Sequence, residues 1–384
     1  MKHVHITLVG EQIAPVYNGI LATNPNLVIF IHSDKTREHV QRIKQNLHLS
    51  SIPKELDPSD MNDISAKVAQ IRKTYADSEQ ISINISSGTK AWTYYLIQEF
   101  SSLLNVTFFY VDQNNKIWNL REKTNEELSF DMDRQLQLYS DQALSEYTKY
   151  EDFTTQDNEQ IEKIRKIRNF NRDDFNYLTK EIYELQKRKN LSKDQKEILI
   201  QAENKENKMS EIIWYRDQNR YKLVLYKKNN ATKKQEMEFS SPNISKLLLN
   251  TGWFEYEVAT ILSKWRFAKD IRIGCRFSTK EKNEDKNEVD IIVNTGTKLL
   301  FVECKTSIKS ITDIDKFRSV VRNYGGLNSK AIFITDEIID SNAKEKLEDN
   351  RLMSFSLKDN HLNLSLEKAL FMLLESELNQ INPR

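Results

Sequence analysis

Within the first 111 residues, four short apolar runs, HVHITLVG, NLVIFIHS, QISINISS and NVTFFYVD, alternate with helical stretches. In the latter, such as KTREHVQRIKQNLHL and ISAKVAQIRKTYADS, apolar residues recur at three- and four-residue spacing. No other feature restricts the fold as much. Strand and helix alternation of this kind implies a parallel sheet covered on both faces, so a layered α/β domain is expected. In such sheets ligands bind beyond the carboxyl ends of the strands, near the point where strand order reverses. The loops after Val9, Ile31 and Ile85 are therefore the expected ligand edge, and they read GEQIAP, HSDKT and SSGTK.

In the third loop Gly88, Thr89 and Lys90 open the helix AWTYYLIQEFSSLL. Free N–H groups at a helix start, beside hydroxyls and a lysine, make an anion site. The same residues also describe a Ser/Thr cap followed by a surface lysine. The loop is not a Walker loop, because the first glycine and the four-residue spacer are absent, and the chain has no G-x-G-x-x-G. Gly10, Glu11, Gln12, Ser33 and Lys35 join the candidates from position alone, since they occupy the other two loops. His32 ends the second strand and either contacts a base or phosphate or caps the turn. His3 and His5 share a strand face without a third ligand at a recognisable spacing, which points to packing rather than metal. Trp92 and Tyr94 or Tyr95 read as helical core, with adenine stacking as the second reading.

A length of 384 residues implies two domains and a connecting region. Only eight Gly and six Pro exclude fibrous and low-complexity classes. The start, MKHVHITLVGEQ, reads as a strand rather than a cleavable apolar segment, and no run approaches the ~18 residues of a membrane span, so a cytoplasmic protein without membrane association is expected. Cys275 and Cys304 have no metal-ligand spacing, and a reducing compartment leaves them as thiols. The net charge of +1 hides a basic segment: residues 157–234 hold 20 Lys and Arg against 13 Asp and Glu. Such a segment suits phosphates or is simply a solvated helical face.

The expected organisation is a sensor-like domain over 1–150, a charged helical and β connecting region over 151–242, and a second domain over 243–384. Residues 154–208 read as charged helix, and EIIWYRDQNRYKLVLYKK reads as two strands around DQN whose aromatics close a small sheet or stack on single-stranded bases. The second domain begins with the helix NISKLLLNTGWFEYEVATILSKW, interrupted at Gly252. The strand IRIGCRF, a charged loop at 279–288, a hairpin, a helix over 311–323, GGLN, the strand KAIFITD and more helix follow.

That hairpin, EVDIIVNTGTKLLFVECKTS, carries Asp290, Glu303 and Lys305 among β-branched and aromatic residues. A carboxylate taken out of water costs several kcal/mol unless it is paired or binds a metal. Glu303 and Lys305 are two apart on one strand and share a face, with Cys304 on the other. Asp290 on the neighbouring strand can meet Glu303, and two carboxylates supply hard oxygen ligands for Mg²⁺ or Mn²⁺. Lys305 is then suited to the charge on a phosphate. A further carboxylate comes from GWFEYEV, where Glu255 and Glu257 diverge by roughly 200° so that only one can face the site; Glu255 is favoured. A bare E-x-K also occurs as a surface ion pair.

GWFE followed by EVDIIV and LLFVECKTS resembles the PD-(D/E)xK nuclease superfamily. NISSGTK after an apolar strand is similar to the N-x-T-G-G-T-K motif of CARF sensor domains, which bind cyclic oligoadenylates made during type III CRISPR defence. In this order the two resemble the CARF nuclease effectors, dimers that become metal-dependent nucleases when the ring is bound. The resemblance spans about 1–111 and 243–335. It implies a Rossmann-like CARF domain followed by a restriction-endonuclease-like α/β domain. It makes Asp290, Glu303 and Lys305 the catalytic core, Glu255 the helical carboxylate, and Asp290 and Glu303 the ligands of Mg²⁺ or Mn²⁺. It also makes Asn84, Ser86, Ser87, Gly88, Thr89 and Lys90 the sensor motif, with Ser86 and Ser87 standing where the family has Thr and its first Gly. The implied activity is cleavage of DNA and/or RNA on binding cyclic oligoadenylate, chiefly cyclic tetra-adenylate, by a homodimer. A standalone restriction-type DNA endonuclease and a non-enzymatic nucleotide-sensing regulator are the alternatives.

Overall fold

The computed structural model describes residues 2–139, 144–187, 195–203, 209–228, 230–277, 287–308, 310–326, 329–361 and 364–379. The charged loop expected at 279–288 lies outside them as far as residue 286, as do the last two residues of GGLN.

The amino-terminal sheet comprises β1 (His3–Val9), β2 (Leu27–His32), β3 (Ser50–Glu55), β4 (Gln80–Asn84), β5 (Val106–Val111), β6 (Lys116–Asn119) and β7 (Thr124–Glu127). Strand order is β3-β2-β1-β4-β5-β6-β7, parallel as far as β5 and antiparallel beyond it. Helices α1 (Ala14–Thr23), α2 (Arg37–Gln45), α3 (Met61–Tyr75) and α4 (Lys90–Phe100) make the connections. Both faces are covered, as the crossover helices of a parallel sheet require. Val4, Ile6 and Leu8 pack with Ile64 and Val68 of α3 and Trp92 and Leu96 of α4. Val9, Val28 and Phe30 pack with Val16 and Ile20 of α1 and Val40 and Ile43 of α2. Strand order reverses between β1 and β4, so Gly10 and the Ile85–Lys90 loop meet at the carboxyl edge. His3 and His5 both bond Ser82 Oγ, at 2.9 and 2.7 Å, inside this domain.

Helix α5 (Met132–Tyr139) bridges the two halves of the chain. Leu138 joins the core of α1 and α2, whereas Met132 and Leu136 join a core with Phe301 and Phe317 of the second domain. Gln135 donates to Asn18 Oδ1 of α1 at 3.1 Å, and Arg272 donates to both oxygens of Asp133 at 2.5 and 2.9 Å.

The connecting region differs from the expectation of helix to residue 208. After β8 (Leu144–Lys149), α6 (Thr155–Phe170) and α7 (Arg172–Lys187) are helical, but β9 (Glu197–Glu203) is a strand. It pairs with β10 (Met209–Tyr215), which continues through β11 (Arg220–Lys227) to β12 (Asn230–Ser240) in an antiparallel sheet. Ile198 and Ala202 are buried while Leu199 is exposed, the period of two that a one-sided strand needs. Tyr221 stacks with Trp214 and is fully buried, so these aromatics close the small sheet.

The carboxy-terminal part has α8 (Ile244–Leu248), α9 (Gly252–Ser263), β13 (Asp270–Phe277), β14 (Asn287–Asn294), β15 (Leu299–Lys305), α10 (Thr312–Gly325), β16 (Lys330–Thr335), α11 (Ser341–Asp349), β17 (Met353–Ser356) and α12 (Leu366–Asn379). Its sheet runs β17-β16-β15-β14-β13-β8. Thus β8, grouped by sequence with the first 150 residues, is an edge strand of the second domain's sheet. One core joins Ile164, Phe175, Leu223 and Phe239 of the connecting region to Trp253, Val258, Ile291 and Val302, so the region is not packed as a separate body. Among the described residues no helix is long and apolar enough to cross a membrane.

Candidate ligand face and candidate nuclease site

At the carboxyl edge of the amino-terminal sheet the loops are tied to each other. Gly10 N–H donates to Ser87 Oγ at 3.0 Å, and the Gly10 carbonyl meets His39 Nδ1 at 2.9 Å. Asn84, buried in β4, donates to the Pro15 carbonyl at 3.1 Å and accepts from Ser86 N–H at 3.0 Å. Ser86 Oγ also bonds Asn84 Oδ1 and accepts from Val111 N–H at 2.7 Å. Gly88 has φ +83°, and a Cβ there would stand 2.8 Å from Leu8 Cβ, so this turn suits glycine alone. Thr89 caps α4 by accepting from Trp92 N–H at 3.2 Å.

The sequence candidates therefore divide in two. Asn84, Ser86, Ser87 and Ser33 are committed to the loop frame, Ser33 through Thr36 Oγ1 at 3.1 Å. Gly88, Lys90, Glu11 and Lys35 are exposed, and Gln12 and Thr89 are half-buried, leaving these at the open face. His32 is buried with Nδ1 on its neighbour's carbonyl, a turn role. Trp92 is core and Tyr95 packs against that core, so of the two tyrosines the core reading falls on Tyr95, while Tyr94 is 62 % exposed. His39, which holds the first loop, went unremarked in the sequence because α2 gives it no special spacing.

In the second domain the strands place three charged groups at one end of the hairpin. The β14–β15 pairing runs from Asn294↔Leu299 to Ile291↔Val302. At the next position Asp290 substitutes side chain for main chain, its Oδ2 accepting from Cys304 N–H at 2.7 Å. Lys305 Nζ lies 2.6 Å from Glu303 Oε1, and the Glu303 side chain is only 13 % exposed. Cys304 points into the opposite core, as the strand period requires. Glu255 enters from the first turn of α9. Its helix can start there because position 252 is glycine: a Cβ would lie 1.8 Å from the Lys246 carbonyl oxygen. Glu257 turns away to Arg165, which donates to it from Nε at 2.8 Å and Nη2 at 2.5 Å.

The electrostatics separate these two glutamates. Burial, then Asp290 and Glu288, push the Glu255 carboxyl well above its ordinary range. Burial and Asp290 push Glu303 up to about 8, against the pull of Lys305. Burial raises Asp290 while Lys305 and the Cys304 N–H oppose it. Burial alone would lower Lys305, but Asp290 and Glu303 outweigh it and the net shift is upward. Glu257 is raised by burial and lowered by Arg165. So Glu255, Asp290 and Glu303 are gathered around one lysine, with burial first and carboxylate neighbours second raising their carboxyls. That donor chemistry fits a hard divalent ion. Among the described residues, however, no three His, Cys, Asp or Glu side chains are gathered closely enough to hold a metal, Lys305 standing on Glu303 instead.

A cleft of about 390 Å³ opens beside Glu255 and Glu288, bounded by Tyr183 and Lys187 of α7, Lys246 and Arg276. Two of these come from the connecting region, whose part in the site no motif announced.

A parallel α/β domain with an anion-suited helix start, followed by a mixed sheet with a carboxylate–lysine cluster, defines a sensor joined to a nuclease. Residues 4–140 match the model of the Card1 CARF domain and residues 243–366 match that of the Card1-like endonuclease domain. The chain belongs to the CARF-domain nucleases of the Card1 type. An endonuclease domain of this kind implies a divalent-metal requirement.

Among solved structures it is similar to Can2 from Sulfobacillus thermosulfidooxidans in complex with cyclic tetra-adenylate (17 % identity, TM-score 0.63, 99 % of this chain and 100 % of that one). It is also similar to protein VC1899 from Vibrio cholerae (16 %, TM-score 0.69, 98 % of each chain). A third is a type III CRISPR defence DNA nuclease activated by cyclic oligoadenylate (15 %, TM-score 0.56, 96 % of this chain and 52 % of that one). At these identities the likeness is one of fold. No curated protein matches.

Proposed function

We propose that this chain is a nuclease of the PD-(D/E)xK type, dependent on Mg²⁺ or Mn²⁺ and switched on by cyclic oligoadenylate, with cyclic tetra-adenylate as the best-fitting ring. Its substrate is DNA and/or RNA, and its setting is type III CRISPR defence. The reading rests on one observation above all: Asp290, Glu303, Lys305 and Glu255, from two strands and a helix, converge at one end of a hairpin, their carboxyls raised by burial and, for Glu255 and Glu303, by Asp290. The Can2 structure, whose fold spans the same chain, holds cyclic tetra-adenylate, which supports the ring assignment.

In this reading Gly88, Thr89 and Lys90 meet the ring's phosphates with N–H groups, a hydroxyl and an ammonium. Gly10, Glu11, Gln12, Ser33 and Lys35 line the adjoining loops, and Asn84, Ser86 and Ser87 hold the loop path. Asp290 and Glu303, with Glu255 beside them, would hold the divalent ion, which when bound polarises a phosphoryl oxygen. Asp290 is oriented by Cys304 N–H. Lys305, kept protonated by its carboxylate neighbours, offsets charge as it builds on the scissile phosphate. A ring with rotational symmetry is matched by two copies of one loop set about a two-fold axis, so the working species is a homodimer. Exposed Tyr94 and Ile97 on α4, with the nearby Leu104, give that pairing an apolar surface.

The test incubates the protein with plasmid, single-stranded DNA and RNA, with Mg²⁺ or Mn²⁺, and with cyclic tri-, tetra- or hexa-adenylate. Cleavage that needs both metal and ring is expected. Full activity without a ring favours the standalone endonuclease, and no cleavage in any arm overturns the reading.

A further inference from the structure

The region between the two matched domains supplies more than a linker. Helix α6 presents Arg165 and Arg168, and α7 begins with Arg172, a row at spacings of three and four that faces acidic groups of the nuclease domain. Arg165 takes Glu257 of α9, and Arg172 pairs with Glu337. Between them Arg168 is nearly sealed, its side chain 3 % exposed, with Nη1 3.5 Å from Asp336 Oδ2. Its guanidinium also lies 4.9 Å from the centre of the Trp253 ring, and Trp253 is 1 % exposed.

These contacts reach both flanks of the carboxylate cluster. Trp253 belongs to the first turn of α9, two residues before Glu255. Asp336 follows β16, and its N–H donates to the carbonyl of Lys305 at 3.2 Å, while Glu337 N–H donates to Thr306 at 3.1 Å. Arg168 is thus one buried cation touching the helix that carries Glu255 and the segment that holds the end of the strand carrying Glu303 and Lys305. Burying a guanidinium is costly, and an apolar side chain of similar volume would fill the space without that cost. A leucine or methionine there could not attract an aromatic face and a carboxylate together.

We propose that Arg168 is a positioning residue for the nuclease site: it sets the distance of α9 from the β15–β16 end, and so the approach of Glu255 to Glu303 and Lys305. The inference rests on the nuclease reading for its catalytic consequence but not for its structural one. Displacing a catalytic group by about 1 Å can cost about 10²-fold in rate.

The experiment compares wild type, Arg168→Gln, Arg168→Lys and Asp336→Asn, the last removing the carboxylate while keeping the N–H to Lys305. Hydrogen–deuterium exchange of peptides covering 252–258 and 303–308 is expected to quicken at least tenfold in Arg168→Gln and Asp336→Asn, with peptides of β1, β4 and α4 unchanged. Mn²⁺ affinity measured by calorimetry is expected to fall several-fold. With Mn²⁺, cyclic tetra-adenylate and a single-stranded oligodeoxynucleotide, kcat is expected to fall at least tenfold while KM and half-saturating ring stay within about twofold. Arg168→Lys, which keeps charge but not the planar stack, is expected to fall between. Adding Arg168→Gln to Glu255→Gln is expected to cost little more than Glu255→Gln alone, because both act on one group. Exchange unchanged at 252–258 and 303–308, or full additivity with Glu255→Gln, overturns the proposal. If wild type cuts nothing, the nuclease reading falls and the exchange arm still decides whether Arg168 joins these two elements.

Discussion

Replacing Gly252 with alanine is the sharpest test of how Glu255 is placed. A Cβ at this position would sit 1.8 Å from the Lys246 carbonyl oxygen and 2.9 Å from its carbon, and ordinary contact begins near 3.4 Å, so the start of α9 must retreat by about 1.6 Å. The obstacle is main chain, and both sides are anchored: Leu247 and Leu248 are fully buried before the junction, and Trp253 and Phe254 after it. Overpacking of this kind costs about 1–3 kcal/mol, which for a body of this size lowers Tm by a few degrees. Glu255 lies within one turn of residue 252 and moves with it, and a misplacement of about 1 Å is enough for about a 10²-fold loss of rate. Differential scanning fluorimetry should give the Tm, and single-turnover cleavage the rate, while ring binding by calorimetry stays at the wild-type value because the sensor loops belong to another sheet. A Gly252→Ala protein with wild-type Tm and wild-type cleavage would falsify the placement of Glu255 by this junction.

Three further outcomes follow from the same geometry. Glu303→Ala or Lys305→Ala should each lower cleavage at least ~10²-fold with ring affinity intact, as read by parallel nuclease assays and calorimetry; near-normal cutting by the double variant removes these residues from the site. Lys90→Ala deletes one charge-assisted contact of about 1.5–3 kcal/mol, so the half-activating ring concentration should rise tenfold or more while saturated activity recovers. Burial, with His3 nearby, pulls the fully buried His5 from 6.5 to about 3. Its unfolded form therefore binds the extra proton between those values, so stability is lost as pH falls below 6.5, by about 2 kcal/mol at pH 5; unfolding free energies from urea titrations at pH 7 and pH 5 should differ by that amount in wild type and less in His5→Gln.

The parallel core of the first sheet was legible because apolar strands alternate with amphipathic helices, although of β1, β2 and β4 only β2 is apolar on both faces, and β1 and β4 bury His5, Thr7, Ser82 and Asn84 on one of theirs. The strands Ser50–Glu55 and Thr124–Glu127 were not, since SSIPKE and TNEE are polar edges whose partners are supplied by a neighbour's main chain. LSEYTK likewise becomes strand only by pairing with Asp270–Phe277, more than a hundred residues later. The carboxylate–lysine cluster stood out for the opposite reason: charges in an apolar hairpin need a partner, and Lys305 lies 2.6 Å from Glu303.

The sensor loop shows the limit of such reading. Asn84 and Gly88 belong to one motif, yet Asn84 spends its amide on Pro15 and Ser86 while Gly88 lies at the open surface, a division made by tertiary hydrogen bonds rather than by residue type. The two glutamates of GWFEYEV make the same point energetically. Helical geometry alone requires that they diverge, but which one serves the carboxylate cluster depends on what covers the other. Arg165 covers Glu257 from a helix some ninety residues earlier. Had α6 been set one residue differently along its axis, its arginine row would turn from Glu257 and Asp336, leaving a half-buried glutamate and a buried aspartate without their cations. Which glutamate of α9 faces the carboxylate cluster is thus a property of α6 as much as of α9, so the connecting region, silent in motif, helps to arrange that cluster.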